Sequence, residues 1–104
     1  MGGMIDDILR GVDCSTMAEV RAGVHQVDRE IVALLPRRFA YMDAAARIKT
    51  ERAAVRDEAR KVAVIANARA AAEAAGLPAA AITELWDRLV EASIAYEMAA
   101  FERR

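Results

Sequence analysis

The chain has 104 residues, the length of one domain. It is 56% hydrophobic but only 5% aromatic, and much of its apolar content is alanine, a strong helix former. With 15 basic and 16 acidic residues the net charge is −1, which argues against a broad cationic surface for nucleic acid or an anionic membrane and leaves any basic function to a few placed residues. Cys14 is the only cysteine, so no internal disulfide can form, and a reducing cytoplasm is the expected location. The first residues lack the basic and apolar segments of a secretory signal. No window approaches the roughly 18 apolar residues of a membrane span.

Residues 1–14 are expected to be a loose arm on a single domain spanning 1–104. Thr16 followed by Glu19 fits a capping box and predicts a helix start. From there the apolar positions run Val20, Val24, Val27, Ile31, Leu34, then Arg38, then Tyr41, Ala45 and Ile48. The steps alternate between four and three, which is a heptad seam. Pro36 interrupts the composition but not the phase. A proline inside a helix removes one hydrogen bond and costs about 3 kcal/mol or more, so a local kink is expected rather than a break. Thr50 to Val55 reads as a polar loop. Asp57 is a candidate N-cap for a second helix with apolar positions Val62, Ile65, Ala66 and Ala72, closed by Gly76 as a C′ glycine. Pro78 suits the first turn of a third helix, which carries Ile82, Leu85, Trp86, Leu89, Ser93, Tyr96, Glu97 and Ala100. The expectation is all-α, with a long, a short and a medium helix.

A helix from Thr16 to Lys49 would be about 50 Å long at 1.5 Å per residue. A globule of this size is only about 33 Å across. The long helix therefore cannot bury its seam against its own short partners, and an intertwined homodimeric bundle follows.

Arg38 stands where the seam demands an apolar side chain, so its guanidinium has to meet an anion. That anion is either an acidic residue across the dimer or a ligand. Lys49 lies 11 residues further on, about 20° from the same line along the helix and about 16 Å away. The pair could bracket a small molecule with an anionic end, although a lysine near a helix end is commonly just solvated. Ser93 and Glu97 share one face at i, i+4 and interrupt an apolar stripe as Arg38 does. A purely structural Arg38–Glu97 pair fits the same pattern. Asp57 and Arg60 flank the start of the second helix, whose free N–H groups suit an anionic or hydroxylated ligand. Arg21, next to Val20, could reach a partner helix or remain in solvent. His25 has no companion for metal binding, Trp86 reads as core, and no nucleophile is paired with a base. No metal or cofactor is expected.

Together these residues resemble the all-helical chorismate mutase family, which includes isochorismate pyruvate lyases. The stretch from Val20 to Leu35, with Arg21 leading an apolar and acidic repeat, is similar to the family's opening helix. Arg37 and Arg38, with Lys49 eleven residues after Arg38, match its arginine and lysine pair. Val55, Arg56, Asp57 and Arg60 resemble its loop and second-helix signature. Ser93 and Glu97 fall where it has a serine and a glutamine or glutamate. The resemblance implies that Arg38, with Arg21 of the other subunit, binds substrate carboxylates. It implies that Lys49 binds a carboxylate and the ether oxygen of the breaking bond, and that Glu97 approaches that oxygen from the other side. Arg60 and Ser93 would support binding, with Asp57 near the ring hydroxyl through its backbone. The reaction needs restricted conformation and positive charge where the ether oxygen becomes negative, and no acid, base or nucleophile.

Two positions depart from the family pattern. Many bacterial members carry glutamine where this chain has Glu97, and a carboxyl helps the ether oxygen only when it carries a proton. Lys61 stands where a classical bacterial mutase has a glutamate that binds the ring hydroxyl. The expected function is a chorismate mutase making prephenate, with an isochorismate pyruvate lyase giving salicylate and pyruvate as the alternative. A non-catalytic helical dimerisation module would explain the seam, but not why Arg38, Ser93 and Glu97 interrupt apolar stripes.

Overall fold

A computed structural model describes residues 9–104. Three α-helices account for most of them: α1 (Met17–Ile48), α2 (Glu58–Ala74) and α3 (Ala79–Glu102). There is no strand among the described residues. None of these helices is long and apolar enough to cross a membrane. By contact the chain divides into two units, Met1–Arg38 and Phe39–Arg104.

In the first unit, the arm expected over residues 1–14 lies outside the described residues as far as position 8. Beyond that it is not wholly irregular, because Gly11–Asp13 forms a single 3-10 turn. The turn is held by the Asp13 N–H on the Arg10 carbonyl at 2.9 Å and by an Arg10–Asp13 ion pair at 3.2 Å. The capping box forms in both directions. The Glu19 N–H donates to Thr16 Oγ1 at 3.2 Å, and the Thr16 N–H donates to Glu19 Oε1 at 3.0 Å. A further bond from the Ser15 N–H joins the same carboxylate, and these backbone donors hold the Glu19 carboxyl below its ordinary value. α1 then runs through Pro36 without ending. The unbroken heptad phase on both sides of that proline already required this.

The apolar seam of α1 is exposed in the single chain. In this unit Val20, Val24, Val27, Ile31 and Leu34 are all exposed.

In the second unit, α2 packs on α3. Asp57 caps α2 as expected, its Oδ1 accepting from the Arg60 N–H at 3.0 Å. Gly76 ends the helix with φ +72. The Leu77 N–H reaches the Ala72 carbonyl at 2.9 Å and the Gly76 N–H reaches Glu73 at 3.1 Å, the two bonds of a Schellman motif. A side chain at position 76 would meet nothing within 4 Å, so the backbone conformation alone makes glycine the residue for this turn. Pro78 is the N-cap of α3, one residue before the helical turn in which it was expected.

The buried apolar residues are Ala46, Val55, Ala72 and Val90. Two of these correct the sequence reading. Val55 closes a stretch read as polar loop, yet it is 3% exposed, because the 3-10 turn at Arg52–Ala54 folds it inward. Val90 takes a core place one residue beyond Leu89. Conversely Val62, Leu85 and Tyr96 are exposed. The rings of Tyr96 and Phe39 meet edge to face at 4.9 Å, and the Tyr96 hydroxyl donates to Asp43 Oδ2 at 3.0 Å. That bond, chiefly, raises the phenol above its usual range.

Candidate functional site

The second unit gathers polar groups around the end of α1. Lys49 follows the last helical residue, and its own N–H still bonds to the Ala45 carbonyl at 2.9 Å. The stem therefore leaves the helix in a defined direction. Its Nζ donates to Glu97 Oε2 at 2.6 Å and to the Val55 carbonyl at 3.5 Å. Glu97 is 5% exposed and Ser93, one turn earlier on α3, is 4% exposed, whereas the Lys49 side chain is 29% exposed. The ammonium is thus the outward half of the pair and the carboxylate its buried half. An ammonium has three N–H donors, so Lys49 has capacity for a ligand oxygen besides Glu97 and Val55.

Ser93 and Glu97 do share a face of α3, and both are buried where the apolar stripe called for hydrophobic residues. The Ser93 hydroxyl donates to the Leu89 carbonyl at 2.7 Å. That local bond lets a polar side chain sit in the core without an unmet donor.

Glu97 pairs with Lys49, a partner not among the sequence-based alternatives, which were Arg38 or a ligand. Arg38 belongs to the first unit, half-buried on α1, and burial holds its guanidinium below its ordinary value. Arg21 is exposed on the same helix. On α2, Asp57 uses its carboxylate as the helix cap, and Arg60 stands exposed in the first turn.

Lys61, the position where the family pattern has a glutamate, turns out to be a cross-link. Its Nζ meets Glu91 at 2.6 Å and Asp87 at 3.1 Å on α3. Arg56 grips the same Glu91 with both guanidinium arms, at 2.7 and 3.1 Å, and also meets Glu58 at 2.9 Å. This fork is the geometry in which arginine binds carboxylates best. Arg56 first and Lys61 second hold the Glu91 carboxyl at about 2, and Glu91 in turn raises both cations. Lys61 therefore fastens α2 to α3. Glu91 and Asp87 carried no signal in the sequence, because their partners are 26 to 35 residues away and each alone reads as a solvated acid. Among the described residues no cluster of histidine, cysteine or acidic side chains is arranged to hold a metal ion.

A part-buried ammonium fixed against a buried carboxylate can stabilise negative charge growing on a nearby oxygen, without any group that need act as nucleophile. Comparison with known proteins places the chain in a family. The family model described as chorismate mutase type II matches residues 20–98, a span that contains Arg21, Arg38, Lys49, Asp57, Arg60, Ser93 and Glu97. The isochorismate pyruvate lyase of Pseudomonas aeruginosa is 31% identical over 86 residues, which are 83% of this chain and 85% of that protein.

Proposed function

This chain belongs to the chorismate mutase type II family, and from that membership we propose that it is an enzyme rearranging chorismate to prephenate with no cofactor and no covalent intermediate. The observation that carries the reading is the Lys49–Glu97 pair, a single ammonium held 2.6 Å from a carboxylate buried in α3. In the rearrangement the bond between ring carbon and ether oxygen breaks while a carbon–carbon bond forms, and negative charge grows on the oxygen. A fixed point charge at that oxygen lowers the barrier, while pairs of planar guanidinium groups suit the two carboxylates. In this reading Lys49 and Glu97 flank the ether oxygen, Arg38 and a second copy's Arg21 bind carboxylates, and Arg60, Ser93 and the backbone of Asp57 support the ring.

A second reading has a specific observation behind it. With Lys61 bound to Glu91 and Asp87, position 61 supplies no carboxylate for the ring hydroxyl of chorismate. The relative from Pseudomonas aeruginosa is named as a lyase of isochorismate, whose hydroxyl stands elsewhere on the ring. In that reaction the same ether bond breaks and a ring hydrogen moves to the enolpyruvyl methylene, giving salicylate and pyruvate. The deciding experiment is to incubate the protein separately with chorismate and isochorismate and identify the products. Prephenate from chorismate supports the first reading, and salicylate from isochorismate with no prephenate supports the second. Failure to convert either leaves the non-catalytic dimerisation module.

The proposed enzyme is a homodimer with shared sites. The support is the exposed seam of α1 in the first unit, where exposure runs from 37% at Val20 to 58% at Leu34. Contiguous apolar exposure on this scale marks an interface. The core of one chain is also slight, with no large side chain fully buried among the described residues. If Arg21 serves the partner subunit's site, an Arg21→Ala chain and an Arg38→Ala chain, each inactive alone, should regain part of the parent activity when mixed. One of the two sites in each heterodimer would then be intact. No rescue after demonstrated subunit exchange, or a monomer in sedimentation, rules out the shared site.

A further inference from the structure

α1 ends at Ile48 with no glycine or asparagine to turn the chain, and no residue but Gly76 has a positive φ among those described. The last carbonyls of a helix need partners from elsewhere. Here the partner comes from the far end of the chain. Arg104 Nη1 donates to the Ala46 carbonyl at 2.8 Å and also to the Lys49 carbonyl. The guanidinium lies over the Phe101 ring, 4.0 Å from its centre, which fixes its plane. A cation at this place also faces the negative end of the helix dipole. Beyond Lys49 a second tie uses the same end of α3, Arg52 meeting Glu102 at 3.2 Å.

We propose that Arg104 is a positioning residue for Lys49, gripping the backbone of the residue whose ammonium faces Glu97. Lys49 stands where helices fray. Without the grip its backbone would keep only the N–H bond to Ala45, so its Cα would gain freedom although its side chain is long enough to keep reaching Glu97. Misplacement by about 1 Å in a site of this kind costs up to about 10²-fold in rate. Arg104 lies outside the matched span 20–98, so the grip is a feature of this chain beyond the residues carrying the family likeness. The consequence for catalysis rests on the function proposed above, whereas the effect on Lys49 itself does not.

The chain offers a clean probe, since Lys49 and Lys61 are its only lysines. Protein labelled with carbon-13 lysine gives two Cε signals, and Lys61, tied to Glu91 and Asp87, serves as the internal reference. Arg104→Ala should shift or broaden the Lys49 signal and leave that of Lys61 in place, and Arg104→Lys should restore it in part. The same Arg104→Ala change should lower kcat about tenfold with KM within about threefold. In a Lys49→Ala background it should cost less than about twofold more, because the group it acts through is gone. An unmoved Lys49 signal, equal movement of both lysines, or an undiminished cost in the Lys49→Ala background each overturns the proposal. If Arg104→Ala does not fold, Arg104→Met, which keeps the apolar stem and removes every donor, takes its place in all three measurements. Should the parent act on neither chorismate nor isochorismate, the functional reading fails, and the two lysine signals still decide the positioning role.

Discussion

Replacing Lys49 by alanine is expected to slow the chemical step by about 10²-fold or more, the size of effect seen when a positioned transition-state donor is removed. This corresponds to about 2.7 kcal/mol of barrier. Two features of the structure argue for so large a loss. The ammonium is the outward member of a pair whose carboxylate is buried, so in the proposed site it is the group a substrate would meet. It is also fixed from both ends, by the α1 backbone bond to Ala45 and by Glu97. The fold should persist, because the side chain removed is part-exposed. Glu97 would lose its cation, however, so some fall in melting temperature is expected. Single-turnover rates with the converted substrate separate this from weakened binding. If the rate stays within about threefold of the parent, Lys49 is an ordinary helix-end lysine and the site lies elsewhere.

How far the sequence could be read depended on the separation of the interacting residues. The Thr16–Glu19 capping box, the Asp57 cap and the Gly76 turn each rest on residues within five positions of one another, and all three form as the local pattern predicts. The heptad phase through Pro36 was equally legible, because periodicity counts positions and is indifferent to one lost hydrogen bond. The helical faces were less so. Val62 and Leu85 satisfy an apolar period yet stand exposed in the single chain, since periodicity names a face without naming what covers it. Ser93 and Glu97 were found as interruptions of a stripe, and both are buried. Which cation Glu97 meets required the tertiary structure, the pair being separated by 48 residues. Glu91 and Arg104 were invisible for the same reason, a glutamate on a helix and an arginine beyond α3 carrying no signal until the fold brings their partners to them, and Val55, although part of the loop signature, gave no sign of its burial. Lys61 is the instructive case. Its departure from the family pattern was legible as a missing carboxylate, but its positive role as the tie between α2 and α3 was not.

Glu97→Gln should raise kcat/KM at neutral pH by roughly tenfold, and the reason lies in the pair itself. In the structure the carboxylate takes the Lys49 ammonium at 2.6 Å, so in the proposed site part of the charge offered to the ether oxygen is drawn off by an anion beside it. A second oxygen bearing negative charge would also repel the one that gains it in the transition state. Glutamine has nearly the same shape. Its carbonyl can still accept from Lys49 while its N–H donates to the ether oxygen, which replaces a repulsion by a hydrogen bond. Replacing that repulsion by a hydrogen bond to a developing negative charge is worth about 1 to 2 kcal/mol, or roughly tenfold in rate. Glu97→Ala separates this from simple removal of the carboxylate. It leaves a void beside Ser93 and nothing to orient the ammonium, so it should lose activity where glutamine gains it. The measurement is kcat/KM for the three proteins at one pH at which all are folded. If glutamine costs as much as Lys49→Ala, the carboxylate is required as a carboxylate. Its place would then be that of an anchor that keeps Lys49 aimed, and its assignment opposite the ether oxygen would have to be given up.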